Sequence, residues 1–95
     1  MALARVVSFE GVDTKRMEEM DREMQDGQPP EGFPSAEVVV LHDPDTSTSL
    51  AIVFFETEED YQTGDKILSA MPAADTPGKR TSVKKYNVAV RMTPQ

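Results

Sequence analysis

Leu50-Ala51-Ile52-Val53-Phe54-Phe55 runs six residues without a polar break. Successive strand side chains point to opposite sides, so as a β-strand this run must keep both faces from water. Either phase, Ala51-Val53-Phe55 or Leu50-Ile52-Phe54, is greasy enough to need a cover. The chain has 95 residues and makes one domain, residues 1–95, near the lower end of the size at which a single core is self-sufficient. A second copy is therefore expected to help cover the sheet.

Outward from that run, the other elements read in order. Leu3 to Phe9 is rich in valine and aromatic residues and stops at Glu10-Gly11, which predicts a first strand ending in a turn. A helix follows, capped by Asp13 or Thr14, free of Gly and Pro from Lys15 to Asp26, and closed by Gly27 in a left-handed conformation. Met17, Met20 and Met24 fall on one face of it, as core filler in the first instance. Gln28 to Pro34 is a Pro/Gly-rich loop with Phe33 pinning it to the core. Ala36 to His42 is the second strand, Asp43 to Thr48 a turn, and Ser49 to Glu56 the third strand. Thr57 with Glu58, Glu59 and Asp60 opens a second helix: a capping hydroxyl followed by acids on the positive dipole end. Tyr61, Ile67, Leu68 and Met71 continue on one face, Gly64 permits close packing, and Pro72 marks the end. Ala73 to Arg80 reads as a loop, and Thr81 to Met92 as an edge-like fourth strand alternating Tyr86, Val88, Val90 and Met92 against Lys85, Asn87, Ala89 and Arg91.

The order βαββαβ is the split βαβ arrangement of an α+β, ferredoxin-like fold, with both helices on one side of a four-stranded antiparallel sheet. One face stays bare. Burying about 800 Å² of it per partner, at about 25 cal/mol per Å², gives a gross gain of roughly 20 kcal/mol before association costs. A homodimer is the expected form.

Charge and composition exclude several functions. The net charge is −7, and all seventeen acids lie at or before Asp75, leaving Lys79, Arg80, Lys84, Lys85 and Arg91 as an acid-free basic end. That balance argues against nucleic acid, and the basic end reads as an edge strand protected from further pairing. No cysteine is present, which removes disulfides and thiolate chemistry and suits a reducing cytoplasm. No stretch reads as a secretion signal or a membrane span. Asp43-Pro44-Asp45-Thr46-Ser47 begins like a calcium loop, but Thr48 stands where glycine is needed and Phe54 where the closing Glu belongs. No metal and no cofactor is expected.

Three stretches carry a family resemblance. Ala4 to Gly11, Pro29-Pro30-Glu31-Gly32-Phe33-Pro34, and Phe54-Phe55-Glu56-Thr57-Glu58-Glu59-Asp60-Tyr61 resemble, in turn, the opening strand, the loop leading into the second strand, and the strand-to-helix passage of the dimeric α/β-barrel superfamily. Within it the chain is similar to small domains of the antibiotic-biosynthesis monooxygenase type. The resemblance implies a homodimer whose sheets close into a shared barrel, with a hydrophobic cavity between sheet and helices in each subunit. Some such proteins oxidise quinol-like aromatics or open haem. The haem-degrading members use an Asn on the first strand with a Trp and a His near the second helix. Here there is no Trp, the single Asn is Asn87, and the single His is His42. These motifs concern packing and capping, so they speak for fold before chemistry.

Candidate site residues follow from side-chain chemistry. His42, the single imidazole, is the weak candidate for a general base, against a plainer reading as a turn residue. Tyr61, Tyr86 and Asn87 are candidate ligand-binding groups. Arg5, between apolar neighbours on the first strand, either holds a ligand anion or bridges to a carboxylate across the dimer. Two functions are expected to compete: a dimer that binds a small hydrophobic or aromatic molecule without catalysis, or a cofactor-independent monooxygenase acting on a quinol-like or polyketide-like substrate.

Overall fold

The computed structural model describes residues 2–27, 32–34, 37–70 and 78–92. The elements are β1 (Leu3–Glu10), α1 (Thr14–Asp26), β2 (Glu37–Asp43), β3 (Thr48–Phe55), α2 (Glu58–Ser69) and β4 (Lys79–Asn87). All strand pairs are antiparallel, in the order β2-β3-β1-β4. This is an α+β sheet-and-two-helix architecture consistent with a ferredoxin-like fold. No helix among the described residues is long and apolar enough to cross a membrane.

The register assigns the two phases of the apolar run. Val53 pairs with Arg5 and Phe55 with Leu3, and all four are buried. Ile52, opposite Val6 and Val39, and Phe54, opposite Ala4 and Glu37, take the other phase. Ala51, Val53 and Phe55 thus face the helices, and Leu50, Ile52 and Phe54 face away from them. Phe55 is fully buried, edge-on to Tyr61 at 5.6 Å between ring centres and tilted against Phe33 at 6.0 Å. Phe33 is therefore the loop's pin, as its chemistry suggested.

The core is divided. Leu3, Val53, Phe55 and Tyr61, with Phe33 and Leu68 against them, form one cluster; Val7, Phe9 and Val12, with Met17 and Ala51, form the other. Between them on β1 lies Arg5. A charged side chain at that position interrupts what would otherwise be one apolar layer.

Local signals account for the element ends. Gly11, at φ +67°, makes the turn after β1. Asp13, rather than Thr14, caps α1 by accepting from the Arg16 backbone N–H at 2.7 Å, and Thr57 caps α2 by accepting from the Asp60 N–H at 3.1 Å. Three expectations change. Gly27 is extended, at φ −85° and ψ 174°, not left-handed. Glycine is suited there because a Cβ would stand 2.5 Å from the Glu23 carbonyl oxygen. The fourth strand starts at Lys79, inside the expected loop, and ends at Asn87, so Val88 to Met92 lie beyond the ladder. And α1 buries no side chain, so its methionines form a lightly seated stripe, with Met17 in contact and Met24 exposed. Gln28 to Glu31, Met71 and Pro72 lie outside the described residues.

The face away from the helices carries apolar side chains on all four strands. Val39, Leu41, Leu50 and Tyr86 are exposed on it, and Val6, Ile52 and Phe54 are half-buried. Ala4 is covered because it sits in register between Phe54 and Tyr86.

Candidate functional site

Among the described residues, Arg5 is the most deeply buried polar or charged one. It is 3% exposed, and its phase on β1 aims it at α2. Its Nε donates to Asp65 Oδ1 at 2.8 Å and one terminal nitrogen donates to Ser69 Oγ at 3.3 Å. The two acceptors stand four residues apart on α2 and so share one flank. The carboxylate that answers Arg5 thus belongs to the same chain, not to a second copy. A buried cation needs such a partner, and Asp65 with Ser69 supplies it.

Tyr61 joins the same neighbourhood one turn earlier. Its ring is buried, and Lys85 Nζ lies 4.9 Å above the ring centre. Burial, and after it the negative charge of Asp65, raise the Tyr61 hydroxyl above the ordinary phenol range. At neutral pH the hydroxyl is thus a donor and not a base. Lys85 also donates to Glu58, and that hydrogen bond, more than the Coulomb attraction, lowers the exposed Glu58 carboxyl from its usual value. Arg5, Tyr61, Asp65, Ser69, Glu58 and Lys85 together form an alternating-charge strip between α2 and the β1–β4 side of the sheet.

His42 lies at the far end of the sheet. Its Nε2 donates to the Val12 carbonyl at 3.2 Å, while the Val12 N–H donates to Ser47 O at 2.8 Å. The imidazole therefore clamps the β1–α1 connection to the β2–β3 turn, and Val12 is fully buried in consequence. Opposite His42 in register is Ser49, which is 4% exposed and whose Oγ has no hydrogen-bond partner. Tyr86 is exposed on the bare face, whereas Asn87 pairs in register with Leu3 on the helix side of the edge strand. Of the five sequence candidates, Arg5 and Tyr61 are brought together, with Asn87 in the same sheet phase. Tyr86 points the other way, and His42 is elsewhere.

Asp65, Ser69 and Lys85 were not singled out from sequence. The usable signal was positional: a lone arginine in the inward phase of β1 requires an acid on whichever helix covers it.

Two depressions accompany these groups. One, of about 490 Å³, crosses the bare face at the β2–β3 turn end. Its walls are Leu41, Leu50 and Ser8 on one rung and Asp43, Thr48 and Glu10 on the next; between them lie His42, Ser49 and Phe9, whose side chains take the opposite phase. The other, of about 690 Å³, is an open hollow along the α2 flank at Gln62, Asp65, Lys66 and Ser69. Both lie outside the sheet–helix layer in which the family resemblance locates a cavity. Among the described residues no three His, Asp or Glu side chains gather as a metal site.

No protein-family model matches the chain, and no match is found among curated proteins.

Proposed function

We propose that the chain works as a homodimer of the dimeric α/β-barrel type, in a cytoplasmic setting, and binds a small hydrophobic or aromatic molecule without catalysing a reaction. The observation that carries this is apolar surface in excess of what two helices cover. Val39, Leu41, Leu50 and Tyr86 are open on the bare face, and Val38 is open on the helix side of β2, while α1 buries none of its side chains. A second copy accounts for the bare face. A small apolar molecule lying against the exposed Val38 accounts for the other side.

Binding is favoured over cofactor-independent oxygenation because deprotonating a phenolic substrate needs a base. The Tyr61 hydroxyl holds its proton more tightly than an ordinary phenol, and His42 stands at the far end of the sheet from it, tied to the Val12 carbonyl. The complete absence of cysteine supports a reducing compartment.

Three measurements test the proposal. Sedimentation at micromolar concentration should give twice the chain mass of 10.5 kDa, and mass spectrometry under native conditions should find a co-purified small molecule. A small aromatic compound at a hundredfold excess over its Kd should add about 2.7 kcal/mol of stability. A folded monomer that no aromatic or aliphatic probe stabilises refutes it.

A further inference from the structure

Beyond Asn87 the chain leaves the ladder and crosses the end of the sheet where β1 and β4 meet. The Val88 N–H donates to Ala2 O at 2.9 Å. Arg91 then lies over the Phe54 ring at 4.9 Å, on the bare face, and pairs with Glu37 and Glu56. These contacts pin the arm at one end of that face. Yet the residues on either side of Arg91, Val90 and Met92, are 80% and 85% exposed, the most open large apolar side chains among the described residues. A held segment that displays its apolar residues is poised to meet another surface.

The opposite end of the same face carries the complementary shape. The trough of about 490 Å³ lies at the β2–β3 turn, with Leu41 and Leu50 along one wall. From Phe54 to Leu50 is four strand residues, about 13 Å at roughly 3.3 Å per residue. We infer that in the homodimer the arm of each copy, through Val90 and Met92, enters the trough of the other. The sheets then stack with opposite ends together, in two equivalent arm-to-trough contacts.

Two further observations select this arrangement and this occupant. Stacking like ends together opposes the two arms and sets Asp43 against Asp43; stacking opposite ends separates the arms and brings Glu10 and Asp43 to the end where Arg91 already answers Glu37 and Glu56. Area points the same way. Four strands at about 4.8 Å spacing and about 23 Å long have a flat outline of roughly 440 Å². A standard interface buries about 800 Å² of accessible surface per partner, and the arm adds to what the sheet face offers.

This inference rests on the proposed homodimer, and the test separates the two. The chain has no cysteine, so Leu50→Cys combined with Met92→Cys introduces the only thiols. Mild oxidation should yield a covalent dimer on a non-reducing gel, whereas Leu50→Cys alone or Met92→Cys alone should not. In parallel, Val90→Asp with Met92→Asp should weaken dimerisation at least tenfold, with circular dichroism unchanged because neither side chain is part of the core. A dimer by sedimentation that fails to cross-link through the 50–92 pair, or that links through Leu50→Cys alone, overturns the arm-to-trough contact and leaves the dimer standing. A monomeric parent protein removes both.

Discussion

Replacing Gly64 by Ala sets two effects of opposite sign within one methyl group. Gly64 lies inside α2 and is buried, and alanine is the better helix former by about 1 kcal/mol. Against this, a Cβ at residue 64 would stand 2.4 Å from two ring carbons of Phe55. Carbon atoms pack best at about 3.5–4.0 Å, so either the ring or the helix must give by about 1 Å. The ring has nowhere to go: Phe55 is fully buried, with Phe33 tilted against it and Tyr61 edge-on. Overpacking of this kind costs about 1–3 kcal/mol, which set against the propensity gain leaves a net loss of up to about 2 kcal/mol. In a domain of this size that lowers Tm by about 4–8 °C per kcal/mol. Urea denaturation followed by far-ultraviolet circular dichroism, at one fixed protein concentration, measures it. Phe55→Leu should relieve the clash, so Gly64→Ala should cost about 1 kcal/mol less in that background than in the parent protein. If Gly64→Ala raises the urea midpoint instead, helix propensity has won and the packing assigned to Phe55 is wrong.

Other substitutions and conditions follow from the polar groups. Asp65→Ala should cost about 1–3 kcal/mol by stranding the buried Arg5 guanidinium, a figure reduced because Asp65 is partly exposed; Arg5→Met in that background should restore most of it, and a variant pair without this rescue would falsify the structural role of Arg5. Ser49→Ala removes a buried hydroxyl that has no partner, so stability should hold or rise by up to about 1 kcal/mol, and a clear loss in denaturant melts would mean the hydroxyl is bonded after all. The raised pKa of Tyr61 means the folded protein holds that proton more tightly than the unfolded chain. Its contribution is complete below the unfolded value of about 10 and disappears as pH rises through the folded one, so alkaline unfolding should be blunted in Tyr61→Phe, and an identical pH profile for both proteins would count against burial of the hydroxyl.

Much of the fold was legible because the signals were local. Asp13 and Thr57 cap the two helices through hydroxyl or carboxylate oxygens three residues from the N–H they receive, a spacing visible in the sequence. Gly11 sits at a turn that requires a positive φ. The element order followed from these and from runs of valine and phenylalanine. What misled the reading of the last strand was alternation itself. Tyr86, Val88, Val90 and Met92 keep a period of two, but a strand persists only while a neighbour supplies hydrogen bonds, and β1 is spent at Leu3 opposite Asn87.

The site was less legible for the same reason in reverse. His42 read as a weak candidate base against a plainer turn residue; its hydrogen-bond partner, the Val12 carbonyl, is thirty residues away and leaves no mark beside it in the sequence. Arg5 was recognisable as an uncomfortable charge, but not as Asp65's partner across sixty residues. By itself the sequence determined that this chain folds as βαββαβ and has more apolar strand surface than two helices can shield. Only the tertiary structure decided which half of Leu50 to Phe55 faces the helices, because strand phase is a relation between chains of atoms brought together by pairing register, and a run that is apolar in both phases carries no local mark of which side is in.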